Sequence, residues 1–469
     1  MKLSKANWIV FFAVALLYLI IQFNGLIVVS PGDENVYFYM AKSVAQGQLP
    51  YRDFFYAHPP LHVLIMSLII KVFGFSFTIL KSAELLELLV SAFFLYKICI
   101  GLFRQKLEEK HADAISFLAL ILYLSSFEIL FKATFALGTN TSLMFLLMGF
   151  YFVLSGKYFT GGAILGAAGL ARFYTLPPVF VLLGFTAIKK FQKGGKKDMV
   201  YLLAGFLLTF GVVIFLLALF FGHNFIDSVF SYHLLKPKLP NQRSIVYKSV
   251  ITEDWIIFLA FFSSFFMRNK KKFQMFYFAV FGYLFFLLSL NVPAEFYFSI
   301  GFPFMAIIGA YSIFDLTGRI KIKYLKYSFV AIISLIFLWN TIPDVVFLEK
   351  FGFLEFAPLK QMAAKVSGTN PNQKLFGDDS SIPMLGLIEN RSIALNYIDS
   401  NEMRFTSGLT NFYIFKNQLD SVNLSYIIFR KNHGLHQILE FRQYADDRCT
   451  PDSSYSDIAE GIFLVYRCY

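Results

Sequence analysis

Charged side chains are scarce in this sequence. Only 15% of its 469 residues are Asp, Glu, Lys or Arg, whereas a water-soluble domain carries about 25%. Hydrophobic residues make up 57% of the chain. This composition excludes an ordinary soluble globular protein and predicts an integral membrane protein. The net charge of +12 would also suit nucleic-acid binding, but the basic residues cluster between apolar runs, so we interpret them as charges that orient the chain in the membrane.

Cysteine is also rare, with three in the whole chain. Cys99 lies in an apolar segment, where we expect an inert thiol. Cys449 and Cys468 lie in a polar C-terminal region and can pair if that region faces an oxidising space, although two free thiols fit the sequence equally well. A small-residue cleavage site is missing between the first apolar run and Pro31. We therefore expect this run to remain as the first transmembrane helix.

Long apolar runs, by contrast, are plentiful. A membrane-spanning helix needs roughly 20 apolar residues. The candidate spans are residues 8–30, 78–103, 113–133, 139–155, 160–188, 199–221, 255–267, 273–290, 296–315 and 327–343. Cytoplasmic loops collect Lys and Arg. The basic clusters between the spans are Lys2 and Lys5; Arg104, Lys106 and Lys110; Lys157; Lys189, Lys190, Lys193, Lys196 and Lys197; Arg268, Lys270, Lys271 and Lys272; and Arg319, Lys321, Lys323 and Lys326.

The segment 160–188 decides the number of passes. All basic clusters fall on one side of the membrane only if this segment crosses twice. Its middle, "GLARFYTLPPVF", places Arg172 and a Pro-Pro step where the tip of a hairpin should be. We therefore predict an α-helical multi-pass protein of the cell membrane with about 11 transmembrane helices. Its N-terminus is expected in the cytoplasm and its C-terminal region outside.

The polar C-terminal region differs from the rest of the chain. Short β-rich runs, "KLFGDD", "SIALNYID", "LSYIIFR" and "IFLVYRCY", alternate with helical patterns, which predicts a small α/β domain with a partly parallel sheet. We accordingly divide the chain into a transmembrane module, residues 1–343, and an extracytoplasmic α/β domain, residues 344–469. The outer loops of the module are 31–77, the Arg172 tip, 222–254 and the turn 291–298.

The first outer loop carries an unusual number of ionisable groups. "ENVYFYMAKSVAQG" has the pattern of an amphipathic helix in the membrane interface, with Gly47 at its end, and a second short helix is expected at about 60–73. Asp33 lies at the start of the first helix. It can act as a helix N-cap, as a general base at the membrane surface, or as both.

Several other polar residues of the outer loops have two interpretations each. Arg52 and Asp53 taken alone form a surface ion pair of little energetic value. His58, which the following Pro-Pro step holds extended, is on its own a solvated histidine. Arg172 is either an arginine that extends to the membrane surface or a phosphate ligand with a bidentate fork.

The 222–254 loop adds "SYHLLKPKLPNQR", whose aromatic and cationic side chains can contact sugar or phosphate: Tyr232, His233, Lys236 and Arg243. The alternative is an interfacial anchor whose positive groups meet anionic lipid headgroups. Glu295, in the turn 291–298, is a further carboxylate of the outer face that can line a binding site.

Two stretches carry a family resemblance. The Asp33-Glu34 pair just after the first span, followed by "GQLPYRDFFYAHPPL", resembles the multi-pass glycosyltransferases of the GT-C fold, in particular the protein mannosyltransferases (glycosyltransferase family 39) and the aminoarabinose transferases. The stretch "FGDDSSIPMLGLIENRSIALNYIDSNEMRFTSG" is similar to the outer domain of archaeal and bacterial members. The resemblance covers most of the chain in layout and is specific in these two stretches.

The resemblance implies a hexosyltransferase. A hexose such as mannose arrives on a polyprenyl or dolichyl phosphate and passes, with inversion, to a hydroxyl of a glycan, lipid or protein acceptor at the outer face. Asp33 matches the catalytic aspartate of the family and Glu34 its acidic neighbour, which orients the acceptor or helps to hold a divalent cation. His58 replaces a lysine that holds the lipid phosphate in some members, although a histidine is largely neutral at pH 7. We expect donor or acceptor contacts from Arg52, Asp53, His58, Arg172, Tyr232, His233, Lys236 and Glu295.

Two other classes of function remain. A transporter or flippase for lipid-linked sugars should carry charges at mid-membrane and an inverted repeat, whereas here the charges gather at one face and the sequence shows no repeat. A scaffold or receptor would need neither Asp33 nor Arg172. We therefore favour the transferase, with membrane lipids and the lipid-linked donor as partners and no nucleic acid.

Overall fold

The computed structural model describes residues 3–105, 107–268, 270–352 and 354–468, so the basic residues Lys2 and Lys106 lie outside the described part. The chain is mostly helical and forms two compact units. The first unit consists of Met1–Leu26, Lys81–Phe215 and Leu239–Phe353. The second consists of Ile27–Leu80, Leu216–Lys238 and Leu354–Tyr469. The C-terminal region thus belongs to the same unit as the first predicted outer loop.

Apolar helices make up the first unit. Among the described residues, four helices of the chain are long and apolar enough to cross a membrane: Phe77–Phe103, Lys196–Phe221, Lys270–Ser289 and Lys323–Lys350. A fifth follows if the pair Gln242–Glu253 and Trp255–Phe266, bent by 79°, is one broken span. The further helices of this unit are Lys5–Ile21, Glu109–Leu124, Phe127–Phe131, Thr139–Leu154, Tyr158–Ala171, Leu176–Gln192 and Phe302–Arg319. The count of about 11 passes stays a prediction.

The segment 160–188 is broken where the sequence predicts a break. The helix Tyr158–Ala171 ends before Arg172, whose backbone is extended. One 3-10 turn, Phe173–Thr175, then leads into the helix Leu176–Gln192, which has proline in its first turn. Proline suits this position because the first N–H groups of a helix have no partner within it.

The second unit begins with the two predicted short helices. Asp33–Ala45 and Leu61–Phe73 match the expected positions, and Gly47 follows the first of them in a left-handed conformation. The C-terminal region adds the helices Leu359–Ser367, Ile382–Ile388, Met403–Thr406, Phe412–Asp420 and Leu439–Arg448. Two single-turn helices, His223–Ile226 and Tyr232–Leu235, come from the 222–254 loop.

A four-stranded sheet lies in the C-terminal region, as predicted. Its strands are β1 (Lys374–Gly377), β2 (Leu424–Arg430), β3 (Cys449–Asp457) and β4 (Gly461–Cys468), in the order β1-β2-β4-β3. β1 and β2 are parallel, with Phe376 opposite Ile427, and the other two pairs are antiparallel. An aromatic core packs on the sheet and includes Phe376, Phe415, Phe429 and Phe441. A disulfide joins Cys449 to Cys468, where β3 begins and β4 ends.

One predicted strand is wrong and one strand was missed. "SIALNYID" forms the 3-10 turn Ala394–Asn396, in which Leu395 and Asn396 have positive φ, so it contributes only an isolated bridge from Ile393 to Leu375. β3 escaped prediction because "CTPDSSYSD" is polar and contains proline. Such a segment is tolerated at the edge of a sheet, which is where β3 lies.

Gly377 directs the chain out of β1 towards the candidate site. Its φ is +140°, and a Cβ atom at this position would lie 1.8 Å from the carbonyl oxygen of Ile428 on β2. The next residue, Asp378, donates its backbone N–H to the same carbonyl at 2.8 Å. Only glycine therefore permits this close approach of β1 to β2.

We predict that Gly377→Ala destabilises the second unit by about 2 kcal/mol or more, because the new Cβ meets backbone and the left-handed φ is strained. The measurement is thermal unfolding of the solubilised full-length chain, with limited proteolysis to locate the loosened region. Gly368→Ala is the matched control, since φ there is −71° and the nearest atoms to its added Cβ lie at 3.5 Å. Equal unfolding temperatures for the two variants would contradict the prediction.

Candidate active site

The helix Asp33–Ala45 presents its N-terminus to the C-terminal part of the second unit. Gly32 occupies the N-cap position, so Asp33 lies in the first turn of the helix instead of capping it. The side chain of Asn35 donates to the carbonyl of Ser30 at 2.8 Å, which fixes the turn before the helix. Two acidic residues at a helix N-terminus are favoured by the helix dipole. Asp33 is exposed, whereas Glu34 is buried.

Hydrogen bonds and one packing contact join this helix to the segment 386–393. The Tyr39 hydroxyl donates to the carbonyl of Arg391 at 2.9 Å and accepts the N–H of Ile393 at 3.3 Å. Gly386 leaves room for the Tyr39 ring, because a Cβ there would lie 2.8 Å from it. Lys42 donates to the side chain of Asn390 at 2.9 Å. Burial raises the pKa of Tyr39 to about 12, so its hydroxyl keeps the proton it donates.

A polar cavity of about 400 Å³ opens beside Asp33. Its walls come from the turn before the first helix and from loops of the C-terminal region. The lining residues are Pro31, Gly32, Asp33, Asp378, Asp379, Ser380, Asn401, Glu402, Arg430, His433, Gly434 and Glu460. Five of the twelve are carboxylates, and all of them belong to the second unit.

The carboxylates of the cavity have different environments. Asp378 is 4% exposed, and its Oδ2 accepts hydrogen bonds from Ser380 and from the N–H of Ser381, the latter at 3.0 Å. Glu460 forms an ion pair of 3.0 Å with Arg430. The pKa of Asp379 is raised well above its usual value, first by burial and then by the negative charges of its acidic neighbours, which include Asp378 and Asp33.

Lys236 lies within electrostatic range of these acids. Its ammonium group is 4.5 Å from the centre of the Tyr232 ring. Burial lowers the pKa of Lys236, and the charges of Asp399, Asp33 and Glu402 oppose that shift. The structure therefore brings a cation of the 222–254 loop close to the predicted base, within one unit.

His58 and His233 are neighbours. Their ring centres are 5.4 Å apart. His58 Nε2 is 2.9 Å from the Tyr37 hydroxyl, and His233 Nε2 is 2.7 Å from the carbonyl oxygen of Ala57. Because a carbonyl only accepts, His233 carries its proton on Nε2 in this contact. The histidine of the Pro-Pro step thus meets the histidine of the 222–254 loop, which sequence spacing could not reveal.

Arg52 and Asp53 form an ion pair of 2.8 Å with each other, and Asp53 also accepts the N–H of Leu49 at 2.7 Å. These contacts are local to the loop. Arg172 and Glu295 belong to the first unit. Arg172 is 1% exposed and donates from Nε to the carbonyl of Leu137 at 2.5 Å, so it does not extend to a solvated surface. The binding roles of all four residues stay predictions.

The sequence does not decide whether the protein binds a divalent cation. Within the described ranges, no group of three His, Cys, Asp or Glu side chains is placed to hold a metal ion. The structure therefore assigns no ligands to such a cation, and none of the chemistry below passes through one.

The sequence alone did not identify most of the cavity residues as site residues. Asp378 and Asp379 follow β1, and Arg430 and His433 end or follow β2, so these four side chains converge at the carboxyl ends of two parallel strands. Ligands of open α/β sheets bind in this position. The polar residues that follow a β-rich run are visible in the sequence as "FGDD" and "IIFRKNH". They indicate a shared site only once it is known that the two strands pair in parallel.

Comparison with known proteins identifies the fold. Neither a protein-family model nor a curated protein matches the sequence. ArnT from Cupriavidus metallidurans in the apo state has a TM-score of 0.67 at 14% identity over 98% of both chains. Its structure bound to undecaprenyl phosphate has a TM-score of 0.64 at 12% identity, again over 98% of both chains.

Two further structures are similar. The apo oligosaccharyltransferase of Archaeoglobus fulgidus has a TM-score of 0.56 at 10% identity, over 90% of this chain and 69% of that one. The arabinofuranosyltransferase AftD from Mycobacteria has a TM-score of 0.54 at 11% identity, over 100% of this chain and 40% of that one. At such identities the likeness shows the fold, which is that of the GT-C glycosyltransferases, as predicted. The narrower resemblance to family 39 stays a prediction.

We predict that Asp379→Asn stabilises the protein increasingly as pH rises. Folding raises the pKa of this carboxyl, so the unfolded chain releases the proton at a lower pH than the folded chain does. The unfavourable effect of Asp379 on stability is therefore absent near pH 4 and grows towards pH 8. The asparagine variant should match the wild type at pH 4 and unfold at a higher temperature at pH 8. Thermal unfolding between these pH values measures the difference.

Asp447→Asn is the control, because Asp447 is an exposed carboxylate of the helix Leu439–Arg448 in the same unit. Its unfolding temperature should follow that of the wild type at every pH. An Asp379→Asn variant that shows no pH-dependent gain over this control would refute the conclusion that burial and like charges raise the pKa of Asp379.

Proposed function

We propose that this protein is a membrane glycosyltransferase. It moves a sugar from a polyprenyl or dolichyl phosphate carrier to an acceptor hydroxyl on the extracytoplasmic face, with inversion of the anomeric centre. The observation that carries the proposal is the position of Asp33, which starts a helix and lines a polar cavity in a chain of this fold. Support for a lipid-phosphate donor comes from similar structures, because ArnT was solved with undecaprenyl phosphate and the Archaeoglobus enzyme with a dolichol-phosphate.

In the proposed reaction Asp33 accepts the proton of the acceptor hydroxyl. The hydroxyl oxygen forms a bond to the anomeric carbon while the bond from that carbon to the phosphate oxygen breaks. The lipid phosphate leaves with the electron pair. One base is sufficient for inversion, so no second carboxylate has to act as nucleophile. Glu34 is proposed to orient the acceptor.

The leaving phosphate requires nearby positive charge. Lys236, which lies in the electrostatic neighbourhood of Asp33, and the pair of His58 and His233 are the candidates in the second unit. Arg52, Asp53, Tyr232, Arg172 and Glu295 remain proposed contacts of the donor or acceptor from the sequence alone.

The finer features of the proposal concern specificity and topology. We propose a hexose such as mannose as the sugar, a family 39-like group, and about 11 passes in a module of residues 1–343. We propose that the N-terminus lies in the cytoplasm and that the domain of residues 344–469 lies outside the cell membrane. The disulfide Cys449–Cys468 supports the outer position of this domain, because disulfides persist in oxidising compartments.

We predict that Asp33→Asn lowers the rate of sugar transfer at least about 100-fold, because a positioned general base contributes 10²–10⁴ in rate. Membranes carrying the variant are supplied with a polyprenyl phosphate bearing a labelled sugar, and label is followed into the acceptor fraction. Asp447→Asn, on the exposed face of the C-terminal region, should retain full transfer. Undiminished transfer by Asp33→Asn removes the proposal, and lipid scrambling without any transfer favours the transporter.

The outer location has a separate test. In intact cells a membrane-impermeant maleimide should label Cys449 and Cys468 only after treatment with an impermeant reductant, because both thiols are joined in the folded domain. A Cys99→Ser background removes the remaining thiol, and the Cys449→Ser/Cys468→Ser variant sets the blank. Labelling that requires lysis of the cells would place the domain in the cytoplasm.

A further inference from the structure

The cavity beside Asp33 is built at the carboxyl ends of β1 and β2. Asp378 and Asp379 follow β1, and His433 follows β2. Rigid strands hold these side chains, whereas Gly32 is tied to the opposite wall through its N–H, which donates to the Ser380 carbonyl at 3.4 Å. The predicted base therefore lies on the rim of a pocket that the C-terminal region shapes.

Asp378 offers an unused hydrogen-bond acceptor to this pocket. The side chain is 4% exposed, and its Oδ2 receives the hydrogen bonds from Ser380 and Ser381. Its Oδ1 receives none from the described part of the chain and lies towards Gly434, where an added Cβ would be 3.7 Å from it. The same added Cβ would be 3.8 Å from a carboxylate oxygen of Glu402. Because Asp378 lines the cavity, this oxygen is available to a hydroxyl or amino group of a ligand there.

The charge of the pocket decides what that ligand can be. Five carboxylates line it, and the guanidinium of Arg430 is already paired with Glu460 at 3.0 Å. Ionised carboxylates only accept hydrogen bonds, and a protonated carboxyl such as that of Asp379 still accepts through its carbonyl oxygen, so the lining suits hydroxyl and amino groups. A phosphate or carboxylate in the same space would face like charges at short range. The phosphate end of a lipid-linked donor is thus excluded from this pocket.

We infer that this cavity is the acceptor subsite and takes a neutral or amino-bearing sugar, whose hydroxyl and amino groups donate to Asp378, Asp379 and Glu402. The inference rests on the proposed function. The volume of the cavity, about 400 Å³, lies in the range of small-molecule sites. A peptide acceptor would use a sheet edge or apolar pockets, whereas Pro31 is the only apolar side chain in this lining.

Binding is tested first, without any donor. Saturation-transfer NMR on the full-length chain in detergent uses methyl hexosides and glucosamine as probes, with hexose 6-phosphates as their anionic counterparts. The neutral and amino sugars should give saturation transfer, and the phosphates none. Asp379→Asn and Glu402→Gln should each weaken sugar binding at least fivefold, whereas Asp447→Asn should not.

The double variant Asp379→Asn/Glu402→Gln adds a readout that a loss of folding would not produce. It should gain binding of the hexose 6-phosphates, and the gain should increase with pH, because the two acids that it lacks carry more negative charge as pH rises. The inference is overturned if phosphates bind the wild type as well as neutral sugars do, if no neutral or amino sugar binds, or if the cavity variants bind like the control. Displacement of the sugar signal by a lysine-rich peptide at lower concentration would overturn it in favour of a peptide acceptor.

Transfer kinetics then separate this inference from the proposed function. With lipid-phosphate sugar as donor and the bound sugar as acceptor, the two single variants should raise the KM for the acceptor at least fivefold and leave the KM for the donor unchanged. Normal acceptor KM values in active variants would refute the acceptor subsite while the transferase stands. If neutral and amino sugars bind in the charge-dependent way described but no sugar is transferred from the donor, the cavity is a site for such sugars and the proposed transferase activity is refuted.

Discussion

The two hydrogen bonds of the Tyr39 hydroxyl are the interaction on which the candidate site depends. They tie the helix Asp33–Ala45 to the backbone of Arg391 and Ile393, and Gly386 provides the space for the ring. Together with the hydrogen bonds from Gly32 to Ser380 and from Lys42 to Asn390, they fix the N-terminus of the helix relative to Asp378 and Asp379. A loop that follows the first apolar run and a sheet formed more than 300 residues later thereby become one structure.

The same unit places several acidic groups close together, which opposes folding. Burial and neighbouring charges raise the pKa of Asp379, and Glu402 shows the same direction of shift for the same first cause, burial. Carboxylates arranged in this way are unfavourable for stability, whereas the acceptor subsite that we propose uses them to repel a phosphate and to bind hydroxyl groups. Lys236 and the Arg430–Glu460 pair offset part of the negative charge without closing the cavity.

Local sequence patterns were reliable where the neighbouring residues alone decide the structure. The helices at 33–45 and 61–73, the break before Arg172 and three of the four strands follow from periodicity, proline and glycine. Prediction failed at "SIALNYID", where β-branched and aromatic residues indicated a strand but the chain forms a 3-10 turn. It failed again at β3, whose polar sequence becomes a strand only because β4 pairs with it.

The sequence by itself determined the membrane class, the acidic pair after the first apolar run and the presence of a small α/β domain, because composition and short-range periodicity suffice for these. Only the tertiary structure decided that Asp33 meets Asp378, Asp379 and Glu402 around one cavity and that His58 meets His233. These residues are far apart along the chain. The parallel pairing of β1 with β2 brings Asp378 and Asp379 to the same edge as His433, and the packing of the helix Asp33–Ala45 against the segment 386–393 adds Asp33. Such a convergence leaves no periodic signal in the sequence, because it arises from packing between distant segments.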